Sequence, residues 1–286
     1  MATAMSQLDE SGYYVCRNLI DLGYISKLIN ESHSLYECDP PFVKNKRAGD
    51  SGGSYRLNIT NAKVKQCLGY DKTKCINELI NHPMIRKIVN TALQSESGVS
   101  NYIFDYSTLK SSREGSGAEL FPLHYDWRDY SSCVKVYFYL NDITVDQGAM
   151  RYVPGSHRVV KTLWAEKPDE MQNLQKKLAS FNSLENLVPV IKEHTFSREN
   201  RETISNLEFA SLNSELNCNY AISGRAGDVL LFDENGVHGG GVLSKGFSHI
   251  CRVHYVDRGY VNKRLPDQQS RLRRSVFWAL TQISKR

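Results

Sequence analysis

No apolar run in this 286-residue chain approaches the ~20 residues that a membrane-spanning helix needs. No membrane partner is therefore expected. No two cysteines stand in a CxxC spacing. The seven present (Cys16, Cys38, Cys67, Cys75, Cys133, Cys218 and Cys251) are scattered and odd in number. That argues against a disulfide framework and against a structural zinc site, and most read as small buried hydrophobes. An excess of one charge is also missing. Thirty-six Lys and Arg against 31 Asp and Glu leave a formal charge of +5, which favours an anionic substrate but is too small and dispersed for nucleic acid. There is no internal repeat, low-complexity tract or inter-domain linker. The opening MATAMSQLDESGYY has neither a basic start nor an apolar core, so it does not read as a signal peptide. These absences point to one soluble domain in a reducing, cytoplasmic compartment. The 41% hydrophobic and 23% charged content is that of an ordinary globular enzyme.

What is there begins with helices. Gly12 to Arg17 reads as a short strand, and Asn18 to Asp21 leads into an amphipathic helix with Leu22, Ile25, Leu28 and Ile29 on one face. Cys38 to Tyr55, rich in Gly, Pro and charge, reads as a loop. Lys74 to Leu93 has a helical period, and Pro83 should break or kink it. From Ser100 the period changes to 2. Asn101–Tyr106, Glu119–His124, Val134–Leu140, Met150–Val153, Gly227–Phe232 and Ser248–Asp257 read as strands, with a polar turn over Ser111–Gly117 and a Gly-Asp turn before Val229. On the Val134–Leu140 strand, Lys135, Tyr137 and Tyr139 share the face toward the barrel interior or solvent. Val134, Val136, Phe138 and Leu140 share the face packed on helices. Asp169–Phe181 and a basic stretch from Arg271 to Ile283 read as helices. Many short strands with helices gathered at the start predict a mainly β fold, a β-barrel or jelly roll with helical support.

Chemistry enters at His124-Tyr125-Asp126. Alternate residues on an extended strand point to one face, so His124 and Asp126 aim at a common point with Tyr125 turned away. With a third ligand, two imidazoles and a carboxylate occupy one face of a metal and leave the other positions open, the pattern of non-haem Fe(II) oxygenases. His238 follows the strand Val229–Phe232 and precedes three glycines, Gly239 to Gly241, which let backbone or ligand approach closely. Arg252 lies in the last strand. An inward-pointing Arg needs an anionic partner, because an unpaired buried charge is very costly. A ligand carboxylate held by both arms of the guanidinium meets that need. Trp127, beside the triplet, reads as a wall of the substrate pocket. His157 ends the turn Pro154-Gly155-Ser156-His157 and reads as structural. His254, on the face of Arg252, reads as core, with the pocket lining as the alternative.

The order of these elements resembles the phytanoyl-CoA dioxygenase family of Fe(II)/2-oxoglutarate oxygenases. It runs from H-x-D through a strand to Gly148-Ala-Met-Arg-Tyr-Val-Pro-Gly-Ser-His-Arg158, and on to Gly227-Asp-Val-Leu-Leu-Phe232 with His238 and Arg252. The resemblance covers most of the chain and is thinnest across 161–218. It implies a double-stranded β-helix, the jelly-roll and cupin-like core, with N-terminal helices. It implies His124, Asp126 and His238 as Fe(II) ligands, and Arg252 as the clamp for the distal carboxylate of 2-oxoglutarate, with O2 as the oxidant. Many members place Ser or Thr two residues after the distal His. Gly240 stands there in this chain, so Ser248 and Tyr137 are the candidates for the missing hydrogen bond.

The expected activity is oxidation of an unactivated C–H bond in a small organic molecule of specialised metabolism, by hydroxylation, desaturation or ring closure. An acyl-CoA hydroxylase ranks second, since the sequence shows no CoA-binding feature. A non-catalytic jelly-roll binding protein ranks third, since such a protein has no reason to keep all four site residues. The polar segment 161–219, inserted between the Pro-Gly-Ser-His turn and the strand leading to His238, is expected to be a lid over the single domain 1–286.

Overall fold

The computed structural model describes residues 2–37, 43–44, 55–59, 74–94, 99–110, 118–119, 124, 133–158, 160–161 and 221–257. A seven-stranded antiparallel sheet dominates them. Its order is β1 (Tyr13–Cys16), β8 (Val229–Asp233), β6 (Cys133–Tyr139), β11 (Phe247–Asp257), β4 (Val99–Lys110), β3 (Tyr55–Ile59) and β2 (Val43–Lys44). A second, smaller layer pairs β5 (Ala118–Glu119) with β10 (Val242–Leu243), and β7 (Arg151–Tyr152) with β9 (His238–Gly239). Isolated bridges His124↔His238, Gln147↔Leu243 and Arg151↔Ala221 join these pieces. Two antiparallel layers around a common interior fit the jelly-roll expectation.

Strand alternation gives the large sheet two faces with different partners. Lys135, Tyr137 and Tyr139 of β6 stand opposite His254, Arg252 and Ile250 of β11. Leu230 and Phe232 of β8 continue the same face. This side closes on Ile143, Ala149, Met150 and Tyr152. The Tyr139 hydroxyl donates to the Ile222 carbonyl at 2.8 Å, which satisfies a polar atom buried with the rest. The other face, Val134, Val136, Phe138, Leu231, Val253 and Tyr255, packs against helices α1 (Ala2–Ser11), α2 (Leu22–Glu37), α3 (Lys74–Ile80) and α4 (Pro83–Ala92). Each fully buried aliphatic side chain in that interface contributes about 1.5–3 kcal/mol.

Local chemistry sets the ends of these elements. Pro83 starts α4, where its missing N–H costs nothing, so the expected break falls between α3 and α4. Glu31 of α2 caps α3 from outside, its carboxylate accepting from the amides of Cys75 and Ile76 at 2.9 Å each. Gly227 has φ +91, and an added Cβ would lie 2.4 Å from the Ile20 carbonyl oxygen. Only glycine fits that turn. Beside it Asp228 accepts from the amides of Asn18 (2.8 Å) and Arg225 (2.9 Å) and from Arg17 (2.7 Å). Burial would raise the Asp228 pKa, but these donors outweigh it and hold the carboxyl below its usual range. The Gly-Asp turn read from the sequence is thus a joint between the β1–α2 corner and β8.

Several expectations are corrected. Helix α1 was not foreseen; its described buried residues are Ala4 and Leu8, one i, i+4 pair, with Met5 partly buried beside them. Leu22 is 63% exposed and Met84 47% exposed, so neither belongs to the buried face of its helix. In α2 that face is Ile25, Leu28 and Ser32, spaced i, i+3, i+7. The loop expected over Cys38–Tyr55 contains β2, paired with β3 through Val43↔Asn58. Ser111–Gly117, Asp169–Phe181, nearly all of the 161–219 insertion, and Arg271–Ile283 lie outside the described residues. Among the described residues no helix is long and apolar enough to cross a membrane.

Candidate active site

Two of the three expected metal ligands meet across the small layer. His124 and His238 form an antiparallel bridge, each amide donating to the other's carbonyl at 2.8 Å. Directly opposed residues in such a pair carry their side chains on the same side. The two imidazoles sit with centroids 4.6 Å apart, tilted by 45°. His238 Nδ1 donates to the Gly236 carbonyl at 2.7 Å. A neutral ring that donates from Nδ1 carries its lone pair on Nε2, and such a hydrogen bond orients a metal-ligating histidine. Burial, then the nearby Lys135 ammonium and the His124 ring, hold the His238 pKa well below its usual value. The ring is neutral, the form that binds metal. This donor set fits an iron ion. Asp126 and Trp127 lie outside the described residues.

The scaffold behind His238 comes from the Pro-Gly-Ser-His turn and its flanks. Ser156, fully buried, accepts from the Val237 amide at 2.7 Å and donates to the Val153 carbonyl at 2.6 Å. It thereby pins the residue before the ligand. Tyr152 stacks near-parallel on the His238 ring with centroids 6.3 Å apart, and Phe232 lies at 5.1 Å. A Cβ on Gly236 would fall inside the Tyr152 hydroxyl, and one on Gly241 would lie 2.2 Å from the Ala149 carbonyl oxygen. The close approach expected at the glycine run is therefore real at Gly241. His157 plays the structural part read for it. Its Nε2 donates to the Asp9 carbonyl at 3.0 Å, and burial pushes its pKa down to about 4.

Arg252 and Tyr137 are register partners on the interior face, with the guanidinium carbon 5.6 Å from the Tyr137 ring centroid. That cation–π contact holds a planar cation on the barrel wall. Ser248 is 1% exposed, and its Oγ has no hydrogen-bond partner among the described residues. A buried hydroxyl left so costs about 1–3 kcal/mol. Ser248 and Arg252 share a face but stand four residues apart, roughly 13 Å along an extended strand. A joint hold on one carboxylate requires Arg252 to lean back along β11.

Sequence reasoning missed a buried polar cluster on the same interior wall. Lys135 Nζ lies 2.9 Å from Glu234 Oε1, with side chains 7% and 5% exposed. His254 Nδ1 is 3.7 Å from the same oxygen, so His254 faces a carboxylate rather than apolar core. Donor atoms of Cys133, Glu234 and His254 lie within 4.8 Å of one another. The Lys135 ammonium already neutralises Glu234, which works against a divalent ion there. Burial, with the Glu234 charge, holds the Cys133 thiol far above its usual pKa. The signal was present in the sequence: a Lys on the inward face of a strand demands a carboxylate.

Comparisons with known proteins agree with this architecture. The family model described as Phytanoyl-CoA dioxygenase (PhyH) matches residues 8–247, which leaves Arg252 just beyond the match. No curated protein matches the sequence. Similar solved structures include the non-heme alpha ketoglutarate dependent carbocyclase SnoK from nogalamycin biosynthesis (TM-score 0.56, 16% identity, covering 90% of this chain and 84% of that one). The epimerase SnoN, solved with Fe3+, alpha ketoglutarate and nogalamycin RO, aligns with TM-score 0.54 and 15% identity over 90% of this chain and 83% of its own. HygX from Streptomyces hygroscopicus, solved with nickel and 2-oxoglutarate, gives 0.53 and 15% over 90% and 87%. At these identities the likeness shows a shared fold, and the antiparallel sheets fit a jelly-roll core. With the family model spanning most of the sequence, the chain belongs to the phytanoyl-CoA dioxygenase family of Fe(II)- and 2-oxoglutarate-dependent oxygenases.

Proposed function

We propose that His124, Asp126 and His238 hold the Fe(II), that Arg252 binds the distal carboxylate of 2-oxoglutarate, and that the substrate is a small organic molecule of specialised metabolism. The observation that carries the reading is the His124–His238 bridge: two neutral-capable imidazoles on one side of a rigid two-strand contact. When bound, the iron with 2-oxoglutarate and O2 supplies the oxidising power, and the cosubstrate leaves as succinate and CO2. The protein's own part is binding and orientation. The Gly236 carbonyl fixes the His238 tautomer. Arg252, braced on Tyr137, supplies a forked cation for a carboxylate. The unpartnered Ser248 hydroxyl offers a further donor in the barrel interior, and Trp127 walls the substrate side. Phe232 and Tyr152 keep water from the back of His238. A small-molecule substrate is supported by SnoN, whose structure holds nogalamycin RO.

The test is succinate release from 2-oxoglutarate by purified protein with Fe(II) and ascorbate, against a panel of small organic substrates that includes nogalamycin-type compounds. Release should depend on iron, stop with chelator, and rise with a substrate that gains one oxygen or loses two hydrogens. Absence of iron-dependent succinate under every condition removes the enzymatic reading.

A further inference from the structure

The turn that carries His238 is fastened from the far side of the sheet. Alternation turns Phe232 toward the barrel interior and Asp233 toward the helices. There Asp233 lines a cavity of about 510 Å³ with Leu8, Val134, His157 and Lys161. Its carboxylate does two jobs. One oxygen accepts from both the backbone and side-chain nitrogens of Asn235 at 2.9 Å, which folds the turn onto itself. The other accepts from Lys161 Nζ. The Asp233 carbonyl takes the Gly236 amide at 3.1 Å and the Tyr152 hydroxyl at 3.0 Å. Gly236 in turn offers its carbonyl to His238 Nδ1 at 2.7 Å, and Tyr152 stacks on the His238 ring. The Gly236 and Tyr152 contacts on the imidazole therefore both lead back to the backbone carbonyl of Asp233, the residue whose carboxylate folds the turn.

We infer that Asp233, held by Lys161, is a positioning residue for the distal metal ligand, so that an ion pair on the helix side of the sheet sets metal affinity on the interior side. Burial alone would push the Asp233 carboxyl up, but Lys161, His157 and the Asn235 amide keep it below the usual carboxylate range, so it is charged as the pairing requires. Lys161 is also the first residue of the insertion, which ties the root of that segment to the metal turn. The bland reading is a turn cap worth only fold stability. The two readings separate in metal affinity at matched Tm, because a cap that serves only fold stability leaves the His238 ring where it was.

The inference rests on His238 being a ligand, and the experiment tests the two separately. Ni(II) affinity, as the iron surrogate, is measured by titration calorimetry for the full chain and for Lys161→Met, Asp233→Asn, the double variant and Lys161→Arg. Outer-shell partners of metal ligands typically contribute 10–100-fold, so each single variant should weaken Ni(II) about tenfold. The double variant should lose no more than either single one, since both break one linkage, and Lys161→Arg should restore affinity. Gly227→Ala, far from the turn and strained by its φ of +91, sets the loss that comes from lowered Tm alone. Ni(II) affinities at the wild-type value, losses no larger than the Gly227→Ala baseline at matched Tm, or additive losses in the double variant each overturn the inference. If His238→Ala itself leaves Ni(II) binding intact, the ligand assignment fails and not merely this positioning role.

Discussion

His238→Ala is expected to lose iron and turnover together while the barrel stays folded. The backbone amide and carbonyl of residue 238, not its side chain, make the bridge to His124, so the strand contact survives the substitution. What disappears is a neutral imidazole, 2% exposed and aimed by the Gly236 carbonyl. Loss of an outer-shell partner alone costs 10–100-fold in affinity, so loss of the ligand should exceed about 100-fold. Iron content after desalting and iron-dependent succinate release read the effect, and circular dichroism reports the fold. Wild-type iron content in this variant removes His238 from the centre.

Arg252→Lys is expected to raise the apparent KM for 2-oxoglutarate about 10- to 100-fold with iron content unchanged. The guanidinium offers two parallel charged hydrogen bonds to a carboxylate, whereas an ammonium offers a point charge. One lost charge-assisted hydrogen bond is worth about 1.5–3 kcal/mol, which sets that range. The lysine also forfeits the planar contact with Tyr137, so it keeps its charge without its aim. Steady-state kinetics at saturating Fe(II) gives the answer. An unchanged KM moves the carboxylate clamp elsewhere, with Lys135 the next interior cation to test.

Local chemistry made part of this legible in the sequence. Strict alternation over Val134–Leu140 put Lys135, Tyr137 and Tyr139 on one face, toward the barrel interior or solvent, and the aliphatic set on the other, against the helices; the structure buries the first set on the interior side and packs the second on the helices. Pro83 marked the break between α3 and α4, and Gly227-Asp228 marked the turn into β8. Long-range register was not legible. Nothing local to Tyr13–Cys16 says that it pairs with Val229–Phe232, and nothing local to Lys135 names Glu234 as its partner. Leu22 failed for a related reason. Periodicity marks a helix face, but the angle at which the helix meets the sheet decides where that face ends. The candidate site divides in the same way: residue types and spacing singled out His124 and His238, which the fold brings side by side, while the Asp233 linkage depends on a fold that brings residues 152, 161 and 233 together.

The most direct test of the metal centre is anomalous diffraction at the nickel edge from crystals grown with Ni(II) and 2-oxoglutarate. The prediction is one strong peak bonded to the His124 ring, an Asp126 carboxylate oxygen and His238 Nε2, with the distal carboxylate of 2-oxoglutarate on Arg252. A peak held instead by Cys133, Glu234 and His254, whose donor atoms lie within 4.8 Å of one another, would contradict it.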